Sequence, residues 1–231
     1  MIGLIGAIDK ELNLYFQHML IKKTEMVGDK TFYIGLIHDH EVVLVKSGIG
    51  KVNAAITATI LLTRYKPRLI INTGIAGGLS PTNIGDILLA KGIAYFDVSL
   101  TEIDDIPYGK MADDPLLIMM NEHYLEKAEN HFKKLGYNYK VGNLVSGDKF
   151  ITSKKDIRKI LRNVDNVLGV EMEGMATALT CYKFNIPFIS IRGVSDIIDS
   201  KYQKTDYVEA SKDVSEKTTK FVLTFLEAFD E

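Results

Sequence analysis

Residues 47–79, SGIGKVNAAITATILLTRYKPRLIINTGIAGGL, constrain the fold more than any other stretch of the chain. A glycine turn at Gly48-Ile49-Gly50 opens a predicted helix from about Lys51 to Tyr65, and Pro67 stops it. A continuously apolar strand, Leu69–Asn72, then runs into a second glycine turn, Gly74-Ile75-Ala76-Gly77-Gly78. That is a βαβ unit in miniature, and a strand with no polar face has to be covered on both sides.

The alternation continues in both directions. Ile2–Ala7 reads as a strand followed by a helix to about Leu20, while Thr31–Leu36 and Glu41–Lys46 flank a hairpin turn at His38-Asp39-His40. Strand Ile87–Lys91 is followed by a polar stretch to Asp114, a helix to about Leu135 and strand Val141–Val145. A charged helix, Lys154–Arg162, precedes apolar Val167–Val170; a small-residue helix, strand Pro187–Arg192 and a helix from about Asp206 to Phe229 complete the chain. The expectation is an α/β fold: one domain, residues 1–231, with three layers and a central mixed, twisted sheet flanked by helices. Ala94–Asp113 is the longest stretch without a period, and it reads as a site lid, an interface or a plain surface excursion.

Composition narrows the function. Hydrophobic residues make up 46% and charged residues 25%, with a net charge of −2 and both signs interspersed. No basic stripe is available for a phosphate backbone, so small neutral or polar ligands fit better than nucleic acid. Cys181 is the single cysteine, which rules out an internal disulfide and a multi-thiolate zinc site and indicates a reducing compartment. The start, MIGLIGAIDKE, lacks the basic region of a signal peptide, and no apolar run approaches the roughly 20 residues of a membrane span. A cytoplasmic protein without membrane attachment is expected. The histidines at 18, 38, 40, 123 and 131 form no HExxH spacing, and no metal is expected.

Several familiar chemistries fail on single residues. A phosphate-binding Walker loop ending at Lys51 would need glycine where Val45 stands, and a dinucleotide fingerprint would need glycine or alanine at Asn53. No G-x-S-x-G elbow supplies a serine nucleophile. The second glycine cluster, with Ala76 and Gly77 at its centre, follows a strand end where backbone N–H groups can approach a ligand; a plain tight turn is the other reading.

What remains is carboxylates after apolar strands: Glu11, the pair Glu171 and Glu173, and Asp196. Any one alone reads as a helix cap, but four such placements point to the mouth of the sheet. There, one carboxyl kept protonated gives up a proton to a leaving group, while an ionised one activates water or steadies positive charge. That division of labour suits cleavage of a glycosidic bond through an oxocarbenium-like transition state. Arg192, four residues before Asp196, can orient a carboxylate or a water by its planar fork, or form a surface ion pair.

At these residues the chain resembles the 5′-methylthioadenosine/S-adenosylhomocysteine nucleosidase family of the purine nucleoside phosphorylase-like superfamily. The matching segments are Ile2–Glu11 "IGLIGAIDKE", Ser47–Ala54 "SGIGKVNA", Ile70–Leu79 "IINTGIAGGL", Val145–Ile151 "VSGDKFI", Val170–Gly174 "VEMEG" and Arg192–Asp196 "RGVSD". The resemblance implies a cofactor-free homodimer that hydrolyses the N-glycosidic bond of 5′-thio-substituted adenine nucleosides, releasing adenine and the thioribose. It makes Asp196 the acid that protonates adenine N7 and Glu11 the base that orients and deprotonates water. Glu173 holds the ribose hydroxyls, Met172 packs against the ribose, Phe150 stacks on adenine and the Ile151 backbone reads its edge. Ser195 and Arg192 support Asp196 and the water site. Glu171 is left as a capping or supporting residue.

The chain departs from the family pattern in three places. Ile75 stands where a serine usually helps hold the water, leaving that task to Glu11 and Arg192. Phe96 and Ser99 replace a histidine and an aspartate, and Thr101–Lys110, "TEIDDIPYGK", replaces an aromatic, glycine-rich stretch of the 5′ pocket. Ile8 and Ile49 still offer apolar surface to an alkylthio group, and Tyr207 closes the pocket from the C-terminal helix, with core packing as the other reading of all three. Alternatives are phosphorolysis, hydrolysis of 5′-deoxyadenosine or 6-amino-6-deoxyfutalosine, and nucleoside binding without turnover.

Overall fold

In the computed structural model the apolar runs lie side by side as strands, because each buries both faces only with neighbours on either edge and helices above and below. Residues 1–103, 105–227 and 229 are described; Asp104, inside the 101–110 segment, and Ala228, Asp230 and Glu231, at the end of the expected C-terminal helix and domain, lie outside the described residues. The first half runs β1 (Ile2–Gly6), α1 (Asp9–His18), β2 (Leu20–Val27), β3 (Lys30–Ile37), β4 (His40–Lys46), α2 (Lys51–Tyr65) and β5 (Ile70–Gly78). The second half runs β6 (Ile87–Tyr95), β7 (Ile118–Met119), α3 (Glu122–Lys134), β8 (Tyr139–Ser146), α4 (Lys154–Asn163), β9 (Val167–Glu171), α5 (Gly174–Lys183), β10 (Phe188–Ile197) and α6 (Gln203–Glu227).

The sheet is mixed and partly closed. β5 pairs parallel with β10 and antiparallel with β9; β9 pairs parallel with β8, β8 parallel with β6, and β6 antiparallel with β10. Those five strands complete a ring. From β5 the sheet continues outward through β1 and β4, both parallel, and then through β3 and β2, both antiparallel. The core is built from Ile2, Leu4 and Ile5 of β1, Val42–Val45 of β4, Ile70 and Ile71 of β5, and Ile189 and Ile191 of β10, with Leu61, Phe221 and Phe225 from the covering helices. Helix α6 packs directly on β10 at Gly193, where a Cβ would stand 2.3 Å from Thr218 Oγ1 and 2.4 Å from Val214 Cγ1. Glycine is required there by close approach.

Four sequence expectations need correction, and one strand was not expected. Gly74–Gly78 is not a turn but the second half of β5, and backbone lacking side chains gives no alternation to read. β10 continues past Arg192 to Ile197, so Asp196 is a strand residue rather than a helix cap. Leu20–Val27 is an exposed edge strand whose lysines and glutamate obscured it in sequence. Helix α3 begins only at Glu122, after the short β7, with Asn121 capping it by accepting the Tyr124 N–H at 3.2 Å. Helix α6 begins at Gln203, earlier than Asp206. Among the described residues no helix is long and apolar enough to cross a membrane, and no group of three His, Cys, Asp or Glu could hold a metal ion.

Candidate active site

The C-terminal ends of β1, β5, β9 and β10 surround an open cavity. Its wall contains Glu11, Glu173 and Asp196 together with Ile8, Ile49, Ala76, Gly77, Phe150, Ile151, Met172, Ser195 and Tyr207. Of the candidate catalytic and substrate-binding residues, Arg192 alone is not on that wall. It is fully buried behind it.

Glu11 is held by backbone. Its Oε2 accepts the N–H groups of Ala7 and Ile8 at 2.6 and 3.1 Å, and its Oε1 accepts the Ile75 N–H at 2.9 Å. It therefore does cap its own helix, while bridging to β5 across the cavity floor. Burial pushes its pKa up, against the pull of Arg192, whose Nη1 lies 3.9 Å away, and of the three N–H donors. The fit depends on Gly74: a Cβ there would sit 2.2 Å from Glu11 Oε1 and 2.4 Å from Arg192 Nη1.

Arg192 explains how Glu11 and Glu171 stay buried side by side. Its Nη2 donates to Glu171 Oε2 at 2.7 Å and to the Asn72 side chain, and its Nη1 reaches the Thr73 carbonyl at 3.4 Å. A buried charge survives only when paired and hydrogen-bonded, and this fork serves Glu171 directly and Glu11 at longer range. Arg192 stands off the cavity wall, so of the roles its sequence position suggested, orienting a carboxylate is the one the geometry shows. Glu171, on the other side, accepts the Glu173 and Gly174 N–H groups at 2.9 and 2.7 Å, and the Ser146 hydroxyl donates to its Oε1. It caps α5 and supports the wall.

That arrangement frees Glu173. Standing at the N-cap of α5, it makes no side-chain cap bond; its Oε1 accepts the Gly50 N–H at 2.8 Å, across the cavity from its own helix. Burial raises its pKa, the neighbouring Glu171 raises it further, and Arg192 and the Gly50 N–H oppose them.

Asp196 reaches the cavity through an irregularity. The β10–β5 register shifts between Val194 and Asp196, so Ser195 and Asp196, adjacent in sequence, both face the cavity where a regular strand would send one to each side. The Ser195 hydroxyl donates to Asp196 Oδ1 at 2.6 Å and the Gln203 side-chain amide to Oδ2 at 2.9 Å. Burial pushes the Asp196 pKa up; those two donors pull it down.

The aromatic edge of the cavity is Phe150 against Tyr207, ring centroids 5.7 Å apart and nearly perpendicular. Phe96 is buried against Ile151 and its neighbours, Ser99 hydrogen-bonds Thr101, and neither they nor the described residues of 101–110 line the cavity. Sequence reasoning did not select Ala7, Lys149, Val170, Ile198 or Gln203 as lining residues. The first four accompany recognised neighbours and were accessible by adjacency. Gln203 carried no signal, because nothing in "DSKYQK" ties it to Asp196.

Known proteins resemble the chain over most of its length. Residues 1–227 match the phosphorylase superfamily. A 5′-methylthioadenosine/S-adenosylhomocysteine nucleosidase of Staphylococcus aureus is 40% identical over 203 residues, covering 87% of this chain and 88% of its own. The S-adenosylhomocysteine nucleosidase of Streptococcus pyogenes, solved with 5-methylthiotubericidin, superposes with a TM-score of 0.94 at 34% identity, covering 100% of this chain and 97% of that one. The S. pneumoniae 5′-methylthioadenosine/S-adenosylhomocysteine nucleosidase, solved with the transition-state inhibitor MT-ImmA, gives 0.93 at 33%, covering 99% of each chain.

Proposed function

The chain belongs to the 5′-methylthioadenosine/S-adenosylhomocysteine nucleosidase family of the phosphorylase superfamily, and we propose that its cavity works as a two-ended hydrolytic site on those nucleosides. The enzyme hydrolyses the N-glycosidic bond, giving adenine and the thioribose. The observation that carries the reading is the convergence of Glu11, Glu173 and Asp196, from three separate elements, on one cavity.

Adenine leaves poorly as an anion, so Asp196 donates a proton to N7 as the C1′–N9 bond breaks, a contribution of about 10²–10⁴-fold for general acid catalysis. Its burial supports that role by favouring the protonated form. The water oxygen forms the new bond to C1′, and Glu11 takes the water's proton. Glu173 holds the ribose hydroxyls and faces the positive charge that develops on the sugar. With Ile75 presenting only its N–H to Glu11, water is positioned by the Glu11 carboxylate, and Arg192 sets the field behind it.

Phosphorolysis lacks support in this wall. A phosphate dianion needs a cationic clamp, but Arg192 is committed to Glu171 and Asn72, and Lys149 pairs with Asp156 at 2.7 Å. We further propose a cytoplasmic homodimer of single-domain subunits, supported by the single cysteine and by exposed apolar residues at the cavity lip and along α2: Ile49, Val52 and Ile56. The test is incubation with 5′-methylthioadenosine with and without phosphate. Adenine and free sugar in both support hydrolysis; sugar 1-phosphate that forms only with phosphate overturns it.

A further inference from the structure

Gln203 opens α6, yet its side chain turns back into the cavity and is buried there. Its Nε2 donates to the Ile151 carbonyl at 2.9 Å and to Asp196 Oδ2 at 2.9 Å, while its Oε1 accepts the Asp199 N–H at 3.1 Å. A primary amide and the 6-amino group of adenine offer the same donor: a planar NH₂ with two protons diverging in one plane. Here one proton goes to a backbone carbonyl and the other to a carboxylate. A purine whose edge is read at Ile151 and whose N7 meets Asp196 needs the same space between the same two oxygens, and one planar amine fills it.

We propose that Gln203 is a displaceable internal surrogate for the amino edge of the purine, occupying the base subsite of the empty enzyme and swinging out as an adenine nucleoside enters. This rests on the nucleosidase reading above. The surroundings permit the movement. Gln203 is the first residue of its helix, where first turns fray, and the preceding Ser200–Tyr202 turn follows Asp199 in the left-handed region at φ 68°.

A subsite filled by its own side chain lowers apparent affinity in proportion to the open fraction; with about nine-tenths of molecules closed, the loss is about tenfold. The test compares Gln203→Ala and Gln203→Met, the second keeping chain length without the donor, with wild type. Adenine release from 5′-methylthioadenosine by the wild-type enzyme is scored first, and adenine is then titrated calorimetrically into all three proteins. Both variants are expected to bind adenine about tenfold more tightly, with KM falling in parallel and kcat not rising. A merely structural glutamine would leave affinity unchanged or weaken it. If wild type releases adenine and neither folded variant binds it more tightly, the surrogate role is overturned alone; if wild type neither releases nor binds adenine, the nucleosidase reading falls and takes the surrogate with it.

Discussion

The two ends of the cavity hold their carboxylates by different means. At the water end, Glu11 is fixed by three backbone N–H groups and Glu171 by two more, with Arg192 buried between them. At the base end, Asp196 is held by a hydroxyl and an amide, both on side chains that rotate. The first arrangement is set by strand ends and helix starts and cannot reorganise without unfolding them. The second, in the proposal above for Gln203, exchanges a protein donor for a ligand. In the proposed mechanism a water molecule has to be aimed before the reaction, whereas a base has to enter and leave, and the two ends differ as that division requires.

The strongest way to break this contrast is Glu171→Ala. Removing one partner of a fully buried pair leaves Arg192 with only its longer contact to Glu11 and two N–H groups at the start of α5 without an acceptor, with an expected loss of about 3–5 kcal/mol. Chemical denaturation measures it; a loss within about 1 kcal/mol, as for a surface pair, would mean that Glu171 and Arg192 do not hold that end of the cavity rigid. Gly74→Ala should be smaller and more local. The new Cβ forces Glu11 and Arg192 apart, and displacement on the order of 1 Å should lower kcat by about 10²-fold while the protein still folds. Normal turnover in that variant would show that Glu11 need not sit where it does.

A pH experiment sharpens the comparison with the least perturbation. Glu173 has its pKa raised in the folded protein, so folding binds its proton more tightly than the unfolded chain does. Its contribution to stability is therefore fully present below about pH 4, the unfolded carboxylate range, and is lost as pH rises through the folded value. Glu173→Gln cannot titrate. Its Tm relative to wild type should become progressively more favourable from mildly acidic to neutral pH, and a pH-independent difference would contradict the assignment.

How much of this was legible in the sequence follows from the range of each interaction. Alternating apolar runs and helical periods are local, and they gave the α/β class and most strand positions. Glu11, Glu173 and Asp196 stood out because each follows an apolar run that had to be a strand. The closing of the sheet between β5 and β10 was not legible, since pairing partners far apart in sequence leave no local mark. The register shift at Ser195 is likewise a tertiary event. Arg192 stayed open between orienting a carboxylate, orienting a water and pairing at the surface, because a buried arginine is recognisable only once its partners, here Glu171 and Asn72, are in place. Gln203 needed the fold of α6 against β10 before it could be seen at all.

The central claim is that Asp196 serves the leaving group and Glu11 serves the water. The most direct measurement compares Asp196→Asn and Glu11→Gln on 5′-methylthioadenosine and on a 5-methylthioribosyl 4-nitrophenolate, whose leaving group departs without a proton. Asp196→Asn is expected to lose adenine release by about 10²–10⁴-fold yet keep cleaving the nitrophenolate, while Glu11→Gln loses both. Wild-type-like adenine release by Asp196→Asn, or equal losses on both substrates, would contradict it.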